Sequence, residues 1–397
     1  MTQPTSVAPS VCVMVNKTGG TLRPSESFLR AHMERLPGRV TTLLGHPGAR
    51  RIGLNGETFL LSQSLVARGW RWGIRRAGVA SLAAQDTRSL VRYLKKTKTE
   101  VVLAEYGPTA VSVRQACQDA GVPLVSHFHG WDAYVLASDP TSREEYKQLF
   151  QDSEAIVAVS RHQKTHLESL GAPSEKVVWN PCGAEPQADR VATPAEAPPV
   201  FISVGRPAPK KATIVGLLAF AQVAELIPEA RLQLVGGGLD TLLHQAALAL
   251  GVREKVEFIG ALPHEEVLER LAATRCYLHP SVTAPDGDME GTPVSVMEAM
   301  AAGLPVVSTR HGGILDLLDG TGAGTLVDEY DARGTAQAML AYARDPEHAA
   351  RAGREGRRLL TERWSMERSL DGLAEILRLA AARDAEGIRR MAARPWV

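Results

Sequence analysis

Two glutamates that lie eight positions apart, Glu290 and Glu298, flank the start of a short apolar segment that can form a helix. We expect Thr292 to cap this helix and Pro293 to occupy its first turn, where the missing N–H of proline costs nothing. The free N–H groups at a helix start attract phosphate. Carboxylates beside a diphosphate are suited to accept hydrogen bonds from hydroxyl groups, and a nucleotide sugar carries hydroxyls on both sides of its diphosphate.

The alternative for this pair is an ordinary one, because a glutamate on a short helix is usually solvated. The segment around Glu298 is otherwise almost fully apolar, and its sequence is Met-Glu-Ala-Met-Ala-Ala. An unpaired carboxylate would be costly in such surroundings. We therefore favour a binding role for Glu290 and Glu298 over a structural one.

Basic and glycine-rich loops follow two predicted strands of the second half. Arg206 and Lys211 come after the strand Val200–Val204, and they can supply a forked guanidinium and a point charge to phosphate oxygens. Gly236 begins a run of three glycines after the next strand. The last glycine of a dinucleotide fingerprint is replaced by Thr241, which argues against NAD. An exposed basic turn and a tight glycine turn are the alternatives.

Two histidines, His127 and His129, end a predicted strand of the first half and are followed by Trp131 and Asp132. Strand alternation puts both imidazoles on one side, so that either can face a ligand. We expect no metal here, because no third nearby Cys, His or carboxylate has zinc-ligand spacing. A histidine satisfied within the core is the structural alternative.

Gly19 and Gly20 follow the first predicted strand and precede a helix that Ser25 can cap. Glycines here would let the backbone approach a ligand, although a flexible turn explains them equally well. A basic and aromatic segment comes later, and it contains Arg68, Trp70, Arg71, Trp72, Arg75 and Arg76. Such a segment suits an anionic bilayer surface. A solvated helix with two core tryptophans is an equal alternative.

Composition limits the class of protein. The chain has 397 residues, 44% hydrophobic and 22% charged content, and a formal net charge of +1. Near-neutral charge argues against nucleic acid as the main partner. The four widely spaced cysteines form no metal motif and favour reduced thiols. The first residues lack a signal peptide's basic region and no apolar run is long enough to span a membrane. We therefore expect a cytoplasmic protein, with peripheral contact at the inner face of the membrane as an open alternative.

Short apolar runs alternate with amphipathic helical stretches along the chain, which predicts an α/β protein with parallel sheets. The predicted strands are Val11–Val15, Val40–Leu44, Val101–Ala104, Pro123–Phe128, Ala155–Val159, Val200–Val204, Arg231–Val235, Lys255–Ile259, Cys276–His279, Pro305–Ser308 and Thr325–Val327. The predicted helices of the second half include Thr213–Leu226, Leu239–Leu250 and Glu265–Ala273. A Pro- and Ala-rich stretch over residues 186–198 is predicted as a linker between two domains. The predicted domains are residues 1–185 and 199–374, and a tail of about 375–397 can pack back on the first domain. Ligands of such sheets bind at the carboxyl ends of the strands.

The chain resembles the family 4 retaining glycosyltransferases, and within them the exopolysaccharide group that includes colanic acid and amylovoran transferases. The segment that ends in Glu290-Gly-Thr-Pro293, joined to Glu298-Ala-Met-Ala, is the most specific match. The other matching segments are Ser25-Glu-Ser-Phe28, Glu105-Tyr-Gly-Pro108, His127-Phe-His-Gly-Trp-Asp132, Val157-Ala-Val-Ser160, Asn180-Pro-Cys-Gly183 and Gly205-Arg206 with Lys211. The resemblance implies the GT-B fold, in which two Rossmann-like domains face an interdomain cleft.

The resemblance also implies roles for the matched residues. Glu290 would contact the hydroxyls of the donor sugar and Glu298 the ribose, while Arg206 and Lys211 would stabilise the departing diphosphate. Gly19, Gly20, Gly236, Gly291, Thr292, Pro293 and Val294 would complete the donor site. His129 would lie near the sugar, with His127, Trp131 and Asp132 on the acceptor side. The family often has Pro-Glu after His-Gly-Gly-Ile, where this chain has Leu315 and Asp316.

The predicted activity is retaining transfer of a hexose from a nucleoside diphosphate sugar to a saccharide acceptor, with a lipid-linked acceptor preferred over a soluble one. In this scheme a diphosphate oxygen accepts the acceptor's proton, and neither a metal nor another cofactor is required. Asp286-Gly-Asp288 has the letters of a metal motif but belongs to the family loop. The alternatives are a GT-B nucleotide-sugar epimerase and a non-catalytic nucleotide-sugar-binding partner of a polysaccharide machine.

Overall fold

The computed structural model describes residues 8–16, 22, 26–46, 49–52, 58–60, 79–238 and 241–396. The chain divides into two compact units. Unit 1 comprises Met1–Ala158, Lys164–Asn180 and Leu370–Trp396, and unit 2 comprises Val159–Gln163 and Pro181–Ser369. Each unit contains one sheet with its helices, and the two units are described separately.

Within the described residues, the sheet of unit 1 has eight strands in the order β4-β3-β2-β1-β5-β6-β7-β8. The strands are β1 (Val11–Val15), β2 (Val40–His46), β3 (Ala49–Ile52), β4 (Thr58–Leu60), β5 (Val101–Glu105), β6 (Leu124–His127), β7 (Ala155–Ala158) and β8 (Val177–Trp179). All neighbours are parallel except the pairs β2–β3 and β3–β4, which are antiparallel. The central strands β1, β5, β6 and β7 are buried along their whole length, as their runs of β-branched and other apolar residues predict.

Helices cover this parallel sheet between successive strands. Those in the first 158 residues are α1 (Ser27–Arg35), α2 (Val79–Thr97), α3 (Gly107–Ala120), α4 (Trp131–Tyr134) and α5 (Pro140–Asp152). Helix α5 begins as the sequence suggests, because the Asp139 carboxylate accepts a hydrogen bond from the N–H of Ser142 and Pro140 occupies the first helical position. Helix α6 (Arg161–Ser169) follows β7.

The sheet of unit 2 has six strands, all parallel, in the order β11-β10-β9-β12-β13-β14. They are β9 (Val200–Val204), β10 (Arg231–Val235), β11 (Val256–Gly260), β12 (Cys276–His279), β13 (Val306–Thr309) and β14 (Gly324–Val327). The chain order reverses at β9, where β10 pairs on one side and β12 on the other. In doubly wound sheets a ligand binds beside such a reversal, at the carboxyl ends of the strands.

The helices of unit 2 alternate with its strands. They are α7 (Thr213–Leu226), α8 (Thr241–Ala249), α9 (His264–Ala272), α10 (Val294–Ala301), α11 (Ile314–Leu318), α12 (Ala332–Arg344) and α13 (Pro346–Leu359). Two further helices, α14 (Met366–Ala381) and α15 (Ala385–Ala393), end the described chain. The core packs Phe201 of β9 against Phe220 of α7, with ring centroids 6.5 Å apart.

The prediction of an α/β protein with two parallel sheets is confirmed. Among the residues that the structure describes, no helix combines the length and the apolar character that crossing a membrane requires.

Candidate functional site

The carboxylate of Glu290 lies in the loop between β12 and α10 and is buried among nitrogen and hydroxyl groups of unit 2. Lys211 Nζ is 2.6 Å from Oε1 of Glu290. The Ser281 hydroxyl donates to the same oxygen at 3.2 Å, and His279 Nε2 lies 3.5 Å from it. Lys211, Ser281 and His279 therefore surround one carboxylate oxygen of Glu290, which is a predicted donor-site residue.

The charge state of Glu290 follows from these neighbours. Burial would raise the pKa of Glu290, but the Lys211 ammonium, with a smaller contribution from the nearby His279 ring, holds it well below its usual range. Burial together with Lys211 lowers the pKa of His279 to about 4, so this imidazole is neutral near pH 7. Buried Glu290 and partly exposed Lys211 thus form an ion pair beside a neutral histidine.

A second lysine, which the sequence analysis did not select, fixes the same loop. Lys210 Nζ donates to Asp288 Oδ1 at 3.0 Å and to the carbonyl of Met289 at 2.9 Å. It also lies 3.9 Å from Oε2 of Glu290. Asp288, which has the letters of a metal motif, is thus bound to an ammonium group.

The start of α10 differs from the prediction in two respects. Thr292 does not cap the helix; its hydroxyl donates instead to the carbonyl of Val159. The N-cap residue is Pro293, one position before the first helical turn that was predicted for it, and Val294 is the first helical residue. A tertiary acceptor therefore replaces the local N–H as the partner of Thr292. Gly291 precedes these residues, and its carbonyl lies against the backbone of Gly313.

Glu298 lies in the second turn of α10 with 14% of its side chain exposed. Burial raises the pKa of this carboxyl to about 7. The imidazole of His264 has its Nδ1 3.7 Å from Glu298 Oε1, beyond hydrogen-bond distance. Glu298 and Glu290 therefore flank the start of one helix but differ in ionisation.

The basic and glycine-rich loops meet at the carboxyl ends of β9 and β10. Gly205 and Gly236 have φ angles of +152° and +155°, and a Cβ on Gly236 would lie 2.0 Å from the carbonyl oxygen of Gly205. Only glycine allows this close backbone approach. Arg206, which follows Gly205, has an exposed side chain. The Lys211 side chain lies against Gly205, so one loop carries both predicted phosphate ligands.

In unit 1, three histidines converge on the buried carboxylate of Glu105 at the end of β5. His32 Nδ1 lies 2.6 Å from Oε1. His129 Nε2 lies 2.8 Å and His127 Nδ1 3.2 Å from Oε2. Because α1, β5 and the end of β6 supply these side chains, the parallel sheet brings together residues that are distant along the chain.

Glu105 is the ionised carboxylate of this cluster. Burial would raise the pKa of Glu105, but the neighbouring imidazoles hold it well below its usual range. Burial and the adjacent His127 lower the pKa of His129 to about 4. Burial raises the pKa of Asp132 to about 6, against hydrogen bonds from the N–H groups of Gly107 and His129. Trp131, which lies between His129 and Asp132 in the sequence, has a side chain that is 53% exposed.

The expectation that no third ligand lies near the two histidines is wrong, because ligand atoms of His32, Glu105 and His127 lie within 4.8 Å of one another. Their spacing along the chain concealed this proximity. Both oxygens of Glu105 are nevertheless engaged by ring nitrogens of His32 and His129 at hydrogen-bond distance. The geometry is that of a hydrogen-bonded cluster, and the absence of a metal requirement stays a prediction.

Some predicted residues lie outside the described part of the chain: Gly19, Gly20, Arg68, Trp70, Arg71, Trp72, Arg75 and Arg76. Conversely, four residues that were not predicted contact the site residues: Glu105 and His32 in unit 1, and Lys210 and His279 in unit 2. Glu105 and His279 are the last residues of β5 and β12. Their position at the carboxyl end of a predicted strand was the signal that could have identified them.

Comparisons with known proteins agree with this architecture. Residues 39–188 match the family "Glycosyltransferase Family 4" and residues 185–359 match "Glycosyl transferases group 1". The colanic acid biosynthesis glycosyltransferase WcaL of Escherichia coli is 35% identical over 62% of each chain, so this chain covers less than two thirds of that relative. A phosphatidylinositol monomannoside mannosyltransferase of Mycolicibacterium smegmatis, which is GDP-mannose-dependent, is 30% identical over 63% of this chain and 68% of its own length.

Among solved structures, Anabaena HepE in complex with UDP has a TM-score of 0.68 at 18% identity, covering 92% of this chain and 98% of its own. At this identity the likeness shows the fold, which is GT-B. The two family matches together extend from residue 39 to residue 359. The chain belongs to the family 4 glycosyltransferases.

Proposed function

We propose that this protein transfers a hexose from a nucleoside diphosphate sugar to a saccharide acceptor with retention of configuration. The ion pair between Lys211 and Glu290, 2.6 Å apart beside the start of α10, carries the proposal. Ionised Glu290 can accept hydrogen bonds from sugar hydroxyls. Lys211 and the N–H groups at the start of α10 can stabilise a diphosphate. Family membership and the UDP bound to HepE support a nucleotide-sugar donor.

The proposed reaction breaks the bond between the anomeric carbon and the diphosphate oxygen and forms a bond to an acceptor hydroxyl on the same face. Negative charge develops on the diphosphate as the sugar becomes oxocarbenium-like, and Arg206 and Lys211 stabilise it. The proton of the acceptor hydroxyl passes to a diphosphate oxygen. We assign no enzymic nucleophile and no metal to this reaction.

His129 of unit 1 is suited to bind a sugar hydroxyl. Glu105 is ionised and can only accept, so His129 donates its Nε2 proton to it, and the pKa of about 4 keeps the ring neutral. The remaining nitrogen, Nδ1, is then a hydrogen-bond acceptor whose orientation Glu105 fixes. Exposed Trp131 and buried Asp132 follow it in the chain and are assigned to the acceptor side.

A lipid-linked saccharide is the proposed acceptor, and assembly of an exopolysaccharide or cell-surface glycan is the proposed setting. The mannosyltransferase relative is named for a phosphatidylinositol mannoside and the E. coli relative for colanic acid, which together support an acceptor of this class. We place the protein on the cytoplasmic face of the membrane, with peripheral contact. The donor base stays open between guanosine and uridine, because the mannosyltransferase is GDP-mannose-dependent and HepE binds UDP-glucose.

A panel of UDP-, GDP-, ADP- and dTDP-sugars, with and without EDTA, tests this proposal by thermal shift and by donor turnover with a lipid-linked acceptor. A ligand specific for the folded state raises the melting temperature. We expect one donor to shift it and to be consumed equally with EDTA present. Loss of turnover with EDTA would refute metal independence, and no shift or turnover with any donor would refute the proposed function.

Substitutions test the assigned residues. Glu290→Gln and Lys211→Ala should each lower kcat/KM by about 100-fold or more, since each removes one group that stabilises charge in the transition state. The matched controls are Glu144→Gln and Lys147→Ala, because this exposed pair also forms a 3.0 Å contact. Normal turnover of both site variants would contradict the assignment. Donor conversion without an acceptor would identify an epimerase, and donor binding without any turnover a non-catalytic partner.

A further inference from the structure

His311 follows β13, and its buried ring touches both the backbone of Glu290 and the carboxylate of Glu329. Nδ1 of His311 lies 2.6 Å from Glu329 Oε1. Nε2 accepts a hydrogen bond from the backbone N–H of Glu290 at 3.0 Å. A ring nitrogen that accepts from an N–H carries no proton, so the proton of the neutral ring must be on Nδ1, where Glu329 accepts it.

Glu329 is itself held in place. It accepts hydrogen bonds from the backbone N–H of Thr283 at 2.8 Å and from the Thr283 hydroxyl at 3.2 Å. The Tyr330 hydroxyl donates to the carbonyl of Thr283 at 3.0 Å. Burial would raise the pKa of Glu329, but the Thr283 N–H and the His311 hydrogen bond lower it. An ionised, fixed carboxylate therefore orients the ring of His311.

The carbonyl group of Glu290 is also restrained. Gly312, directly after His311, has a φ of +45°, and a Cβ there would lie 2.5 Å from the carbonyl oxygen of Glu290. The next residue, Gly313, is packed as closely against the carbonyl of Gly291. The His-Gly-Gly sequence thus provides one hydrogen bond to the Glu290 N–H and two glycines that let the backbones touch.

We propose that His311, oriented by Glu329, is a positioning residue that fixes the main chain of Glu290 and thereby the place of its carboxylate. This inference rests on the proposed function, because Glu290 is the residue assigned to the donor sugar. The division of roles follows from the contacts: Lys211 compensates the charge of Glu290, whereas His311 holds the peptide from which that side chain extends. Small displacements of a group that contacts the reacting sugar cost large factors in rate.

Two substitutions that differ by one methylene separate the two hydrogen bonds of His311. In His311→Asn the amide can still donate to Glu329 but does not reach the N–H of Glu290. In His311→Gln the longer side chain brings its carbonyl oxygen to the position of Nε2, where it can accept from Glu290. We expect Asn to lower kcat by about 10- to 100-fold with little change in KM, since a buried N–H loses its partner. Gln should lower it by only about threefold or less, since that bond is retained.

Hydrogen exchange at the Glu290 amide, measured without any substrate, gives a second readout. Exchange should be about 10-fold faster in His311→Asn than in the wild type and in His311→Gln, because one hydrogen bond that retards it is lost. The same pair of substitutions at His348, in α13 of the same unit, is the control and should change neither kcat nor this exchange rate.

The tautomer of His311 in the wild-type protein tests the geometry without any variant that could fail to fold. Long-range ¹H–¹⁵N NMR should find the proton on Nδ1, and a proton on Nε2 would overturn the proposal. Equal kcat and equal Glu290 exchange in the Asn and Gln variants would overturn it as well. A wild-type protein that consumes no donor would refute the proposed function instead, and the exchange rates and the tautomer would still decide whether His311 positions Glu290.

Discussion

Replacing Glu298 by glutamine should stabilise the protein at alkaline pH. Burial raises the pKa of this carboxyl from 4.5 to about 7, and only 14% of its side chain is exposed. One pKa unit corresponds to about 1.4 kcal/mol, so ionising Glu298 in the folded protein costs about 3 kcal/mol more than in the unfolded chain. Glutamine has nearly the same shape and carries no charge, which removes this cost.

The size of this stability difference depends on pH. Below about 4.5 the carboxyl is protonated in both states, so wild type and Glu298→Gln should have similar free energies of unfolding. Between about 4.5 and 7 the unfolded chain releases the proton first, and wild-type stability falls as the pH rises. Above about 7 both states are ionised and the full difference of about 3 kcal/mol should separate the two proteins.

Urea unfolding at pH 4 and pH 8 measures this difference. Glu298→Gln should be as stable as the wild type at pH 4 and more stable at pH 8. Glu269→Gln, at an exposed position of α9, serves as the control and should match the wild type at both pH values. A Glu298→Gln protein no more stable than the wild type at pH 8 would refute the argument, because the carboxylate would then have a compensating partner within the protein.

The same substitution should weaken donor binding at pH 8. A charged acceptor that receives ribose hydroxyls contributes about 1.5–3 kcal/mol, so its loss should raise the donor Kd by about 10- to 100-fold. Titration calorimetry with the donor found by the thermal-shift panel measures this change. An unchanged Kd would remove Glu298 from the donor site.

Glu105→Gln should destabilise unit 1 by about 3–5 kcal/mol, because an amide offers one oxygen where two imidazoles donate to two carboxylate oxygens in a buried site. Urea unfolding at pH 7 measures this loss of stability. A loss below about 1 kcal/mol would show that the histidines find other partners without cost. Removing the Trp70 and Trp72 side chains should reduce sedimentation with anionic liposomes, and unchanged partitioning would reject membrane contact by this segment.

The sheets could be predicted closely from the sequence where strands are central and apolar. The structure has β9 at Val200–Val204, β12 at Cys276–His279 and α7 at Thr213–Leu226, the ranges that the patterns predict. The prediction missed β3, β4 and β8. β8 has only three residues, and β3 is half arginine, so neither shows the apolar run that marks a buried strand.

The residue types of the candidate site could be predicted from the sequence, but the hydrogen-bond partners of these residues could not. Glu105 binds His32 from 73 positions away, and Thr292 donates to a carbonyl 133 positions away rather than to its own helix. Local patterns contain no information about such partners, because register and packing of the whole sheet bring them together. The capping prediction for Thr292 was wrong for this reason: a buried hydroxyl binds whichever acceptor the tertiary structure presents.

Three glutamates with little or no exposed side chain, Glu105, Glu290 and Glu298, differ in the protein groups that surround their carboxyl oxygens. Glu105 and Glu290 are ionised because imidazole, ammonium and hydroxyl groups of the protein surround their oxygens. Glu298 differs, since burial alone determines its pKa shift and the neighbouring ring nitrogen of His264 is 3.7 Å away. A carboxylate that has no hydrogen-bond donor among the described residues destabilises the protein until a ligand provides such donors. A ribose diol has two such donors, so the instability of Glu298 and its assigned role in donor binding have the same physical origin.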